Sequence, residues 1–527
     1  MAIRTWSSAG STDMNDGANY SGAGALLATD DLVFDGTSVI NATATAGLSV
    51  QSVSIVAAYT GAWSISGQTL TVALGFSDDG GGGTRNYGNG ITANGASSTV
   101  HFGSTLGAVT ATSCVLTMNG TTAMVLDDDK GITFKSLTLG VAAVVTSSGG
   151  AQSTLSFGTG APLTIGANAT FTVNRALYVI TTGGNDIHNI GIGATFNGTA
   201  QIDWQLNGGA IGANVPAITY TGSGTQVFRV SSSGTQGFTF TGHQNYGTAT
   251  VRFRGNQSGA VTLTFNLSTY NLICGTFQFG NDAAVTGTVV LNAGSGTHSV
   301  SVFDGATVNG NLGTTNVNLQ SSQWSCSGSW TFGSNHTVNP GTSTVTITNT
   351  STVTSNGKSF YNFVINAAAR TITLSGALTI ATGGTLTVTA FTAFAGNQYI
   401  IFAGSGSISI ATAVSNRLRT AVAGSTITWT TGTNIWTIPA YTANDWGGDA
   451  SADVAWRSST PGTQYRILAP AGVVVSNMNP QDNLNSGTDI NAMDGTSRDG
   501  GNNIGWLFPA GGSARISRSR IAISTGI

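Results

Sequence analysis

Enzymatic cleavage of a glycosidic bond needs two carboxyl groups about 5 to 9 Å apart, one protonating the leaving oxygen and one acting as nucleophile or base. This chain has no Glu, and all 21 of its acidic residues are Asp. Any such pair is therefore Asp–Asp, and the adjacent candidates are Asp30-Asp31, Asp78-Asp79 and Asp127-Asp128-Asp129. Successive residues of a strand point to opposite faces, so sequence neighbours do not converge on one substrate. Asp78-Asp79 runs into Gly80-Gly81-Gly82-Gly83 and reads as the start of a flexible loop. Asp127-Asp128-Asp129 offers oxygen ligands of the kind Ca²⁺ takes, but the spacing D-x-[DN]-x-[DN]-G is not met and Lys130 opposes a cation. A solvated turn is the expectation there. No catalytic residue is expected, and the chain is read as a non-enzyme.

The other reactive side chains are scattered. His101, His188, His243, His298 and His336 show no HxxxH spacing, and Cys114, Cys274 and Cys326 lie far apart and are odd in number. A zinc site and a disulfide framework are both disfavoured, and the cysteines read as small buried hydrophobes. Neither a P-loop, nor a GxSxG elbow, nor a GxGxxG between strand and helix is present. No cofactor and no metal are expected. Two groups remain as contact candidates. Trp429, Trp436, Trp446 and Trp456 could stack on sugar rings of a host-surface glycan, or else fill solenoid ends or a subunit interface. Arg515, Arg518 and Arg520 lie in a strand-like basic tail and could grip an acidic partner or another subunit.

What would position these residues is a β-rich chain. Runs such as Ser52-Val53-Ser54-Ile55-Val56, Thr69-Leu70-Thr71-Val72 and Val261-Thr262-Leu263-Thr264-Phe265 alternate apolar and hydroxyl side chains with period two. Asn94-Gly95, Asn119-Gly120 and Asn356-Gly357 supply positive-φ turns. No helix is expected; the best stretch, Asn366-Ala367-Ala368-Ala369-Arg370, is too short to stand alone. From Ser343 to Ala390 strands recur every 6 to 18 residues with Gly or Asn in most gaps. That grammar predicts an all-β, elongated right-handed parallel β-helix with coils of about 20 to 25 residues and capping ends. A string of β-sandwich domains is the alternative. Phe363, Ile365, Ile372, Leu374, Leu386 and Val388 are expected to face one core. The predicted divisions are an N-terminal cap or attachment segment (1–36), a solenoid body (37–400), a β-rich transition region (401–470) and a C-terminal cap with a basic tail (471–527).

The stretch from Trp330-Thr331-Phe332 through His336-Thr337-Val338-Asn339-Pro340-Gly341 to Asn356-Gly357-Lys358-Ser359-Phe360-Tyr361-Asn362-Phe363 resembles repeats of bacterial and phage surface β-helix proteins. There, an apolar strand leads to an Asn-Gly-Lys turn and a Phe-Tyr-Asn strand. Asn15-Asp16-Gly17-Ala18-Asn19-Tyr20 with Thr29-Asp30-Asp31-Leu32-Val33-Phe34-Asp35-Gly36 resembles the opening of autotransporter-like and phage-fibre solenoids, with Tyr20 where those have Trp. Ser497-Arg498-Asp499-Gly500-Gly501-Asn502-Asn503-Ile504-Gly505-Trp506 is similar to a terminal motif of phage and environmental surface proteins. The resemblance implies an architecture and a surface setting, not a chemistry.

Composition narrows the classes further. Charged residues are 7% of 527, with only Lys130, Lys135 and Lys358 as lysines. Gly numbers 74, which is roughly twice ordinary usage. A helical enzyme or coiled coil would need the Glu and Lys that are missing. A pI near 5.9 argues against nucleic acid as partner. No apolar run is long enough for a transmembrane helix, and the residues after Met1 do not form a signal-peptide h-region. The expectation is a structural virion protein of a bacteriophage: a fibre, spike or head-decoration subunit, homotrimeric, joined to other virion proteins and contributing to host-surface binding. A bacterial surface adhesin or surface-layer-like protein on the cell surface, and a tailspike-like polysaccharide depolymerase, are the alternatives.

Overall fold

Period-two alternation lets a strand bury one face and wet the other, and stacking such strands in parallel turns each apolar position into a ladder. The chain, described here by a computed structural model, folds in this way into a parallel β-solenoid of about 16 turns, with 1% helix. The structure describes residues 2–509 except 9–10, 81–82, 96–97, 104–108, 120–121, 127–130, 141, 148–152, 158–162, 174–175, 182–185, 188, 191–192, 207–211, 231–235, 256–261, 282–286 and 306–312. Among these residues every strand ladder is parallel, as in Leu32–Val53, Phe76–Val100 and Phe363–Leu386. Among the described residues, the isolated bridges Trp6–Tyr20 and Asp449–Ala452 are antiparallel. Sandwich domains are built from antiparallel sheets, so that alternative is set aside.

Two compact units are present, Met1–Val290 with Gly310–Thr314, and Leu291–Asn309 with Thr315–Ile527. In the first, Leu48, Leu70, Ile91, Leu116, Leu137 and Leu163 stand in register on successive turns, each 0–5% exposed. Rungs lie about 4.8 Å apart, so the side chains of a ladder touch along its length. Beside it the rings of Trp6, Tyr20, Phe34, Trp63, Phe76 and Phe102 follow one another at centroid distances of 5.2–6.4 Å. The strand Ile3–Thr5 pairs in parallel with Asp31–Phe34, so the solenoid ladder already includes residues 3–5. Trp6 seals that turn by donating its indole N–H to the Ile40 carbonyl at 3.1 Å.

In the second unit a column runs through His298, Trp324, Val345, Phe363, Leu386, Ile408 and Trp429. Phe363, Ile365, Ile372, Leu374, Leu386 and Val388 are all buried, as the alternation predicts. Turns close with the expected chemistry: Asn356 (φ 49°) and Gly357 (φ 75°) are both left-handed, the requirement of a type I′ turn. The one described helical turn is the 3₁₀ segment Gly17–Asn19, started by the Asp16 carboxylate accepting from the Ala18 N–H at 2.9 Å. Cys114, Cys274 and Cys326 are buried and form no disulfide. None of the described helices is long and apolar enough to cross a membrane.

Candidate functional site

The strand Leu48–Ile55 pairs with Thr69–Asp78, and the register slips between them. Val50 faces Val72 and Ser52 faces Gly75, so the second strand carries one residue more than the first. That β-bulge bends the sheet and re-aims its side chains. It turns Leu74 outward to 48% exposure. Next to it the outward positions carry small side chains: Ser52, Gly75 and Thr99 form one column, Ser54, Ser77, His101 and Val125 the next. The result is an open depression of about 500 Å³ on the outer face of the first unit.

A polar cluster stands at its rim. His101 Nδ1 lies 3.3 Å from Asp79 Oδ1 and 3.2 Å from Ser77 Oγ. The carboxylate favours the tautomer with its proton on Nδ1, which then donates to Asp79. Asp79 can approach because its neighbour on the next rung is Gly103; a Cβ there would sit 2.3 Å from Asp79 Oδ1 and 2.7 Å from its Cα. Gly75 is shaped by the same crowding, since its Cβ would meet the Thr99 carbonyl at 2.6 Å. Asp79 and Ser77 both address the same imidazole nitrogen. A hydrolytic triad instead sets carboxylate and serine on opposite ring nitrogens. The arrangement therefore presents hydrogen-bonding groups without a proton relay to the serine.

Asp78 and Asp79 do point to opposite faces, and Asp78, the last residue of its strand, is the inward one. It is fully buried, receives the Arg85 Nε–H at 3.0 Å, and also accepts from the Tyr87 hydroxyl and the Gly80 N–H. Burial pushes its pKa up, and Arg85 with the other donors offsets part of that rise. Asp30 is likewise interior: the Leu27 N–H and the Arg4 guanidinium hold its carboxyl below the usual range. Its neighbour Asp31 accepts from the Ser52 hydroxyl at 2.6 Å. Asp127, Asp128, Asp129 and Lys130 lie outside the described residues, as do Arg515, Arg518 and Arg520.

The tryptophan expectation needs correction. Trp429, Trp436, Trp446 and Trp456 are 0–1% exposed and present no face to a glycan. Trp429 packs on Trp456 at 5.3 Å and stacks on Tyr465 at 5.0 Å, and Trp446 meets Trp456 at 5.2 Å. The Trp436 and Trp446 indole N–H groups are spent on the Asn416 and Leu418 carbonyls. Large rings gain more from filling the solenoid interior than from water contact. The second unit has its own depression of about 430 Å³, bearing Arg466, Gln464 and threonines. Among the described residues no three metal-ligating side chains come together.

His101, Ser77, Leu74 and Gly103 were missed in the sequence. Ser77 and His101 are 24 positions apart, one coil of the length the strand spacing implies, and that spacing was the available signal. The bulge that exposes Leu74 has no such signature. No family model, curated protein or solved structure matches the chain at a significant level.

Proposed function

We propose that this protein is a structural virion component of a bacteriophage, a fibre, spike or head-decoration subunit that assembles as a homotrimer with other virion proteins. The observation that carries the reading is the parallel solenoid of about 16 turns in a chain with 7% charged residues. Stacked rungs satisfy backbone groups continuously and make a stiff scaffold that does not depend on surface ion pairs. Such a scaffold suits a projection exposed to changing salt and pH outside a cell. The resemblance of the Trp330–Phe363 stretch to phage and bacterial surface β-helices supports the same setting.

The test is a protein census of purified phage particles together with surface-exposed proteins of uninfected cells. Recovery of the chain in particles at stoichiometric amounts is the expected result. Recovery only from the cell surface would replace the virion role by that of a bacterial adhesin. Light scattering on the purified chain should give three times the 53.1 kDa subunit mass; a monomer would remove the trimer from the proposal.

A further inference from the structure

We infer that the bulge-formed depression beside Asp79 and His101 is a binding site for a neutral saccharide. The inference does not depend on where the protein is displayed, since it rests on the shape and chemistry of one outer face.

Shape comes first. The depression, about 500 Å³, falls in the range of sites that enclose small organic ligands. It exists because a bulge bends the sheet at Ala73–Leu74 and because Gly75 replaces a side chain where a Cβ would strike backbone. Bulges recur beside functional sites because they re-aim side chains.

The lining then selects the ligand. Leu74 and Val125 give apolar patches at two sides of the depression, and Ser54, Ser77 and Thr99 carry hydroxyls that both donate and accept. Asp79 is not itself in the lining but contacts His101, which is; it is an acceptor, and its side chain is 38% exposed. A phosphate, sulfate or carboxylate would be repelled by this carboxylate, and no Arg or Lys is among the described residues that line the depression. A purely aliphatic ligand would strip water from Asp79 and return no hydrogen bond. A molecule with an apolar C–H face on one side and adjacent hydroxyl donors on the other meets both halves of the lining. Pyranose rings have that character. Asp79 would accept from two hydroxyls of one ring while the Nδ1–H of His101 holds the carboxylate in place, and Leu74, five residues back along the chain, would lie against the C–H face of a neighbouring ring. His101 and Gly103 are positioning residues in this scheme: one anchors Asp79 and the other leaves room for it.

The test uses the purified full-length chain and saturation-transfer NMR with maltohexaose, cellohexaose, mannohexaose, a galactohexaose and chitohexaose, alongside a sulfated hexasaccharide and hexalysine. At least one neutral oligosaccharide should bind, and its contact protons should lie on the C–H face of a terminal or internal ring. Asp79→Asn should weaken that binding roughly tenfold or more, because a charge-assisted hydrogen bond is lost. Leu74→Ser should weaken it severalfold, and Thr346→Ala in the second unit should leave it unchanged. Circular dichroism and melting of each variant establish that the fold is retained. Gly103→Ala, which retains every polar group, should weaken binding by displacing Asp79. Absence of binding to every neutral probe at about 10 mM, a weak-affinity limit, would overturn the inference. So would wild-type affinity in folded Asp79→Asn, or preferential binding of hexalysine. None of these results bears on whether the chain is found in particles, so the two proposals fail separately.

Discussion

His298 is a titratable residue held in an environment that disfavours its charged form. It sits in the apolar column of the second unit, 4.3 Å from the Trp324 ring centroid, with Nε2 3.0 Å from the Ala293 carbonyl. Burial pulls its pKa down from 6.5 to about 4, and the carbonyl opposes that shift only in part. The folded chain therefore keeps the ring neutral where the unfolded chain already takes up a proton. The stability tied to this group is present above pH 6.5 and is lost as pH falls toward 4. The full loss is about 3 kcal/mol, from the cost of about 1.4 kcal/mol per pH unit. Denaturant melts between pH 7 and 4 should show this decline, and His298→Leu should flatten it; an equal slope in the variant would place the effect elsewhere. Arg85 gives the companion case. Its guanidinium is the buried counter-charge of Asp78, and it also donates to the Gly61 and Tyr59 carbonyls. Arg85→Ala should cost about 3–5 kcal/mol, the cost of stranding a buried ion, read as a shift in denaturation midpoint at pH 7.

At the scale of elements, the ladder is the unit of stability. Ile365 is 0% exposed and stands between Ile347 and Val388 on neighbouring rungs. Ile365→Asp should cost about 4 kcal/mol, because a lone carboxylate there loses water and gains no partner. Ile365→Val should cost about 1 kcal/mol, the loss of one methylene. A melt of the Asp variant within a degree or two of the parent would place Ile365 on the surface. The strands themselves were legible: Thr-Val-Thr-Ile and Phe-Val-Ile runs announce which residues alternate, and Asn356-Gly357 announces its turn. The end segments were less so. Residues 1–36 read as a cap or attachment segment; within them Ile3–Thr5 pairs as a rung and Asn19 is buried, donating to Ser11 and to the Asp13 carbonyl. Short strands flanked by Asp, Asn and Gly carry too few residues to show a period.

For the whole molecule, strand dominance follows from composition. Without Glu and nearly without Lys, no segment can build the charged face of a surface helix. Far-UV circular dichroism should show less than about a tenth helix, in keeping with the ordinary contrast between all-β and mixed folds. A clear double minimum at helical intensity would refute the architecture. The parallel stack also explains why so few charges suffice. Backbone bonds run from turn to turn, apolar ladders fill the interior, and the outward Ser and Thr rows solvate the surface.

What the residue order by itself determined was local. Alternation dictated strand and the inward or outward parity of neighbours, so Asp78 and Asp79 had to diverge and Phe363 had to side with Ile365. Gly and Asn placed turns for want of a Cβ penalty at positive φ. Tertiary structure decided what depends on register between coils, because parity says that two residues differ in face but not which of them is inside. It put Asp78 in and Asp79 out, and it brought His101 to Ser77 across one coil. It buried Trp429, Trp436, Trp446 and Trp456, whose large rings are equally able to fill a core or to face a ligand. The single extra residue at Ala73–Leu74 made the depression, and a bulge is a mismatch between two strands that neither strand's own sequence contains.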